Sequence, residues 1–356
     1  MHGSDLVLTW RGGIVENSHI IHAAVTDSSR QLLFTVGNPS RMTLARSAAK
    51  PFQTLAILEA GTAERFCFDS GDIALMCSSH NAEERHISRA VAMLHKAGLE
   101  EKDLKCGGHP SLSIVVNEAW TRNGFKPTAI YNNCCAKHIG MLAAAKRINA
   151  DTGNYHTMQH PVQQNIKDVV EATSALKPEQ ISWGIDGCNA PAPAMPLYGL
   201  ARMYASLADA ADQSENLECT QSSRTQTLSK IFKSMSAFPE LIAGDERFCT
   251  DLGRVFRGGL VGKLGADGCY GLAIRESEAT KKMGAKGAVG IAIKVEDGRI
   301  DVLYAAAMEI LEQLGIGTKD IWEELSRYHL IEPKNTMGVV TGHTSFDIKV
   351  QSTKVT

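Results

Sequence analysis

Eight consecutive residues, Ala288 to Val295, read AVGIAIKV and constrain this chain more than any other segment. Four of the eight are β-branched, and turn residues bound the run: Gly287 before it, Glu296, Asp297 and Gly298 after it. A short apolar run with those boundaries is a strong strand signal. Its partners are found at both ends of the chain. Ile20 to Thr26 is apolar and partly β-branched, Asp27 to Ser29 are turn residues, and Gln31 to Val36 returns as a second strand, which is a hairpin signal. Tyr270 to Arg275 reads as a further short strand.

The pattern between these ends is different. Phe52 to Ala60, His86 to Ala97, Ile139 to Ile148 and Tyr198 to Ala211 carry apolar residues at helical spacing, and Asp301 to Gly315 reads as an amphipathic helix. Gln213 to Ser223 is polar and reads as a loop or a weak helix end. The expected architecture is α/β (α+β), with one sheet built from N- and C-terminal strands around a helical middle subdomain. Residues 1–356 form a single catalytic unit in this reading. Residues 5–36 and 269–296 with helix 301–315 make the sheet layer, and 51–238 is mainly helical.

Charge narrows the function classes. Lys and Arg number 37 against 39 Asp and Glu, for a formal net charge of -2. No basic run stands out, so neither nucleic acid nor an anionic membrane is expected as a partner. No apolar stretch approaches the length of a membrane span. The opening MHGSDLVLTWRGG shows no charged-then-apolar signal pattern, and the nine cysteines are odd in number. Both point to a reducing, cytoplasmic location with free thiols.

Five segments carry candidate chemistry. In Arg46-Ser47-Ala48-Ala49-Lys50-Pro51, the serine and lysine three apart share a helix face. Pro51 places Ser47 near the helix start, where developing negative charge is stabilised. A lysine with a lowered pKa there can take the serine proton. The motif alone is weak: Ser174-Ala175-Leu176-Lys177-Pro178 repeats the spacing and reads as an ordinary helix terminus.

Cys77-Ser78-Ser79-His80-Asn81 follows an apolar run. Its hydroxyls either line a cleft or cap a helix starting near Ala82. Asn132-Asn133-Cys134-Cys135-Ala136-Lys137-His138 is either a helix start with buried thiols or part of a metal site, since thiolate and imidazole favour zinc. Asp186-Gly187-Cys188-Asn189-Ala190-Pro191 sets a carboxylate and a thiol on a tight turn. Gly258 to Gly268 is glycine-rich around Lys263 but lacks the Gly-Lys-Ser/Thr ending of a phosphate loop. It reads as a surface loop or as a lysine at a strand start.

Taken in order, RSAAKP at 46–51, SSHN at 78–81, NNCCAKHIGML at 132–142, DGCNAP at 186–191 and GKLGADG at 262–268 resemble the rhizobial-type L-asparaginases, the asparaginase II family. The resemblance implies a fold related to serine β-lactamases and glutaminases, a homodimer, and two Ser–Lys tandems, Ser47 with Lys50 and Ser79 with Lys263. It implies one zinc per chain held by Cys134, Lys137 and Cys188, and a substrate lying near Arg46, His138, Asp186 and Cys249. The chain departs from the family at Cys135-Ala136, where Ser-Gly is common. The implied reaction is hydrolysis of L-asparagine to L-aspartate and ammonia through a serine acyl-enzyme, with Ser47 favoured as nucleophile. A glutaminase or another serine acyl-enzyme is the near alternative, and a non-catalytic metal-binding assembly protein the distant one.

Overall fold

The computed structural model describes residues 5–215 and 221–353. Its strands, in chain order, are β1 (Leu6–Arg11), β2 (Ile14–Asp27), β3 (Leu32–Val36), β4 (Met42–Leu44), β5 (Ser182–Ile185), β6 (Pro191–Pro196), β7 (Leu260–Gly265), β8 (Cys269–Ile274), β9 (Val289–Val295), β10 (Gly342–Asp347) and β11 (Gln351–Ser352). Eight of them form one antiparallel sheet in the order β10-β1-β2-β9-β8-β7, with β3 pairing to both β2 and β11. The AVGIAIKV run supplies β9, every residue of which is buried. Strand β2 is 14 residues long and serves two sets of neighbours. Its first half pairs with β1, and Ile21 to Asp27 pair with Val295 to Val289.

Register explains how the sheet faces the site. Gly271 lies opposite both Lys263 and Ala292, and Ala273 lies opposite Gly290. Directly opposed residues share a face, so these five point the same way. The helix Leu197–Gln213 is pressed against that face. A Cβ on Gly271 would meet the Tyr204 ring at 2.0 Å, and one on Gly290 would meet the Ala201 carbonyl oxygen at 2.0 Å. The two glycines are there for backbone approach, not for turns. Tyr270 points to the other face, where its ring lies 6.1 Å from that of Tyr304 on the helix Ile300–Gln313. Helices therefore cover both faces, and Lys263 looks toward the helical half of the molecule.

That half contains the helices Lys50–Glu59, Ser70–Met76, Cys135–Arg147, Pro161–Ser174 and Ser223–Ala237. The sequence pattern gave residues 51–238 as mainly helical, and it did not point to the strands found there. A small antiparallel sheet, β4-β6-β5, sits within this half. Its central strand is PAPAMP, and proline spacing hides a strand because proline cannot donate to the ladder. Strands β10 and β11 were also not foreseen, since GHTSFD lacks apolar alternation. The glycine-rich run is not a surface loop: Leu260–Gly265 is a fully buried strand, and a Cβ on Gly265 would meet the Ala45 carbonyl oxygen at 2.6 Å. The polar stretch 213–223 follows the end of helix Leu197–Gln213, and its residues 216–220 lie outside the described residues. No helix among the described residues is long and apolar enough to cross a membrane.

Candidate active site

Four segments meet at the edge of β7. Arg46–Ala49 forms one turn of 3₁₀-helix that runs directly into the helix Lys50–Glu59, with Pro51 in its first turn. Tyr204 ties this turn to the sheet-covering helix by donating from its hydroxyl to the Ala48 carbonyl at 2.6 Å. Arg46 itself adopts a left-handed backbone, φ 49°. Such strain in a non-glycine residue costs of order 1–3 kcal/mol and persists where surrounding contacts demand it. Here Arg46 is gripped by two carboxylates, bonding Asp186 at 2.5 Å and also Asp267.

Ser79 follows the helix Ser70–Met76 in extended chain. Its backbone N–H donates to the Ile242 carbonyl and that of Asn81 to the Ala243 carbonyl, both at 2.9 Å. Ser79 is not a helix cap, because the next helix, Glu84–Ala97, begins after Glu83. Both candidate lysines converge on its hydroxyl. Lys50 Nζ lies 3.1 Å and Lys263 Nζ 2.9 Å from Ser79 Oγ. All three residues are almost wholly buried. Lys50 also donates to the Ser78 and Asn133 carbonyls, and Lys263 to the Leu264 carbonyl at 2.7 Å. Burial, reinforced by the charge of Lys50, pulls the Lys263 amine down to about 7.

Ser47 is placed differently. It is partly exposed on the wall of a cavity of about 350 Å³ and has no side-chain hydrogen bond among the described residues. The spacing Ser47–Lys50 suggested a directly bonded pair, whereas the Lys50 ammonium is directed at Ser79. The decoy Ser174 ends the helix Pro161–Ser174 and bonds only the Glu171 carbonyl at 3.3 Å.

The thiol segments also meet. Cys134 precedes the helix Cys135–Arg147, its N–H held by the Asn132 side chain at 2.9 Å. Cys188 lies on the loop joining β5 to β6, where the Asp186 N–H donates to the Ala190 carbonyl. Lys137 Nζ is 3.1 Å from Cys188 Sγ. Cys188 is held far below the usual thiol range by a hydrogen bond from Cys134 and by the Lys137 charge, although burial opposes this. Cys134 is correspondingly raised to about 12, by that same bond and by burial. Burial works to lower the Lys137 amine, but the charges of Cys188, Cys134 and Asp186 outweigh it and keep it protonated. Metal ligation by Lys137 needs loss of that proton, and the Cys188 thiolate beside it opposes the loss.

Arg46, Asp186, Cys134 and Cys188 line the cavity, but His138 and Cys249 do not. His138 is fully buried, its Nδ1 2.7 Å from the Tyr155 hydroxyl, and burial beside Lys137 pulls it down to about 3. Cys249 is buried against the Tyr270 hydroxyl at 3.1 Å. The cavity wall also includes Asn133, His109, Arg247 and Tyr304. None of the last three stood out in the sequence: Arg247 sits in an ordinary charged turn, GDERF, and Tyr304 in an amphipathic helix.

No curated protein matches the chain. Among solved structures, a crystal structure of Mglu aligns with 84% of this chain and 68% of its own, at 14% identity and a TM-score of 0.34. A second, of Mglu in its tris and glutamate form, aligns with 84% of this chain and 60% of its own, at 15% identity and a TM-score of 0.33. The family model of L-asparaginase II matches residues 7–346. That is nearly the whole chain, and the protein therefore belongs to the asparaginase II family, a family of asparaginase-type amidohydrolases.

Proposed function

We propose that the protein hydrolyses the side-chain amide of L-asparagine to L-aspartate and ammonia through an acyl-enzyme on Ser47. The observation that carries this reading is the sharing of one hydroxyl, Ser79, by two buried lysines beside a cavity that exposes a second hydroxyl, Ser47. Two buried amines in such proximity resist both being charged. They hold one proton between them, and Ser79 can pass it from Lys50 to Lys263. Each transfer into Ser79 is matched by one out of it. Lys50 is then the neutral amine nearest the 3₁₀ turn, able to accept the Ser47 proton as Ser47 Oγ attacks the amide carbon. The helix start behind Ser47 favours the negative charge that develops on the amide oxygen. The same chain returns a proton to the departing amine, water enters, and aspartate leaves.

The order Ser-x-x-Lys, then Ser, then Lys263-Leu264-Gly265 resembles that of serine β-lactamases and penicillin-binding proteins. A serine β-lactamase or glutaminase type of fold is part of the proposal, as are a homodimer and a cytoplasmic location.

One zinc ion belongs to the same reading. Cys134, Lys137 and Cys188 fit it: two buried thiols and an amine are in mutual reach, and one thiol already favours its anionic form. Lys137 must give up its proton to join them. Bound there, the metal would supply a Lewis-acidic contact for substrate at the cavity wall, while these three residues orient it.

Release of ammonia from L-asparagine, L-glutamine and a chromogenic β-lactam, compared on equal terms, tests the proposal. The expected result is turnover of asparagine above the other two. Preference for glutamine or the β-lactam would replace the substrate, and no turnover of any would refute the reaction.

A further inference from the structure

Two cations reach the cavity wall, and they are differently occupied. Arg46 is neutralised by Asp186 and Asp267. Arg247 has no carboxylate within ion-pair distance among the described residues. Its Nη1 donates to the Asn81 side-chain oxygen at 2.6 Å, and its guanidinium lies against the Tyr304 hydroxyl; both partners are neutral. Arg247 precedes the helix Phe248–Phe256 and lines the same cavity as Ser47, Ser79 and Asp186.

Its position is fixed from behind. The Asn81 amide nitrogen donates to Glu83 at 3.1 Å and to the Asp245 carbonyl at 3.2 Å, so the amide cannot flip and its oxygen faces Arg247. Asn81 is itself anchored two residues beyond Ser79, on the same pair of backbone bonds to Ile242 and Ala243. The arginine is thus held in register with the reacting hydroxyls. A guanidinium has five donors in a planar fork, and a carboxylate matches two of them at once. Leaving such a group partly desolvated and unpaired is costly unless an anion is bound.

We propose that Arg247, with the Tyr304 hydroxyl beside it, binds the α-carboxylate of the substrate and so restricts the enzyme to amino-acid amides. This rests on the asparagine reading above for its substrate, and it adds what that reading leaves open: which group recognises the amino-acid end.

The test pairs two substrates and two products on the full-length protein. 3-Aminopropanamide is asparagine without its α-carboxylate, and β-alanine is aspartate without it. The variants are Arg247→Met and Arg247→Lys. In Arg247→Met, kcat/KM for asparagine should fall about 10²-fold or more, chiefly through KM, and at least about tenfold further than kcat/KM for 3-aminopropanamide. Arg247→Lys should recover part of the loss, since it restores charge without the fork. Calorimetric binding of L-aspartate and β-alanine reads the same preference without turnover. Wild type should favour aspartate by at least about tenfold, and Arg247→Met should lose that margin. Equal losses for both members of either pair, or no preference for aspartate in the wild type, would overturn the assignment. A wild type that prefers aspartate but does not hydrolyse asparagine would refute the proposed reaction and leave the carboxylate site standing.

Discussion

Lys263 Nζ lies 2.9 Å from Ser79 Oγ, although 184 residues separate them in the chain. The contact exists because Lys263 occupies the inward face of β7, opposite Gly271, while Ser79 is held against the Ile242 carbonyl. Neither element positions the other locally, so the pair reports the assembled fold.

The first expectation concerns the serines. Ser47→Ala should lower asparagine hydrolysis by several orders of magnitude, as loss of a nucleophile does in serine hydrolases. Ser79→Ala should also be strongly impaired, by about 10²- to 10⁴-fold, because it breaks the proton path between two lysines. Ser174→Ala should stay within about twofold, its hydroxyl bonding one helix carbonyl. Steady-state ammonia release measures all three. Near wild-type activity in Ser47→Ala would remove Ser47 from the mechanism.

The second concerns pH. Burial and Lys50 bring the Lys263 amine from its ordinary 10.5 to about 7, so its neutral form is favoured above that pH and lost below it. Activity should therefore rise through roughly pH 7 and level off above it. Lys263→Met should be nearly inactive. A profile that is flat from about pH 6 to 9, with the chemical step shown to limit turnover, would contradict the lysine chain.

Metal content is the third. Protein isolated without chelators should carry one zinc per chain at Cys134, Lys137 and Cys188. Because the Cys188 thiolate holds Lys137 protonated, binding must release that proton, and affinity should weaken in mild acid. Cys188→Ser should abolish stoichiometric zinc by elemental analysis and mainly raise KM. Chelation should do the same and be reversed by zinc. Absence of metal together with an unchanged KM in Cys188→Ser would set the metal site aside without touching the serines.

A fourth tests the packing that aims Lys263. Gly271→Ala puts a methyl where the Tyr204 ring already lies, 2.0 Å away, and should destabilise the fold by at least about 2 kcal/mol in denaturant unfolding. Gly13→Ala, with nothing within 4 Å of its added carbon, should change stability by less than about 0.5 kcal/mol. Equal effects would mean that the helix does not press on the sheet as described.

Much of this was legible in the residues, for reasons that differ by element. AVGIAIKV is largely apolar and has turn residues at each end, so a strand was its ready reading; β9 is that strand, and it is buried throughout. The helix Ile300–Gln313 follows from its apolar spacing within about two residues at either end. The motif segments could be named because hydroxyls, thiols and lysines cluster locally. What spacing cannot convey is which group meets which. Lys50 shares a helix face with Ser47 yet its amine turns to Ser79, because the chain at 78–79 crosses the end of that helix. Strand β6 was hidden by its prolines, and Arg247 carries no local motif at all. Its place on the cavity wall depends on the pairing of 79–81 with 242–243.

The proposed reaction depends on Ser47 carrying the acyl group. The direct measurement is covalent trapping with a diazoketone analogue of asparagine, followed by tryptic mass mapping. Cleavage after Arg46, Arg65 and Arg85 places the two serines in separate peptides, Ser47 in the one ending at Arg65 and Ser79 in the one ending at Arg85. Acylation at Ser47 gives a stoichiometric adduct on the Ser47 peptide in wild type, none there in Ser47→Ala, and protection by L-aspartate. A stoichiometric adduct on the Ser79 peptide, with Ser47 unmodified, would contradict it.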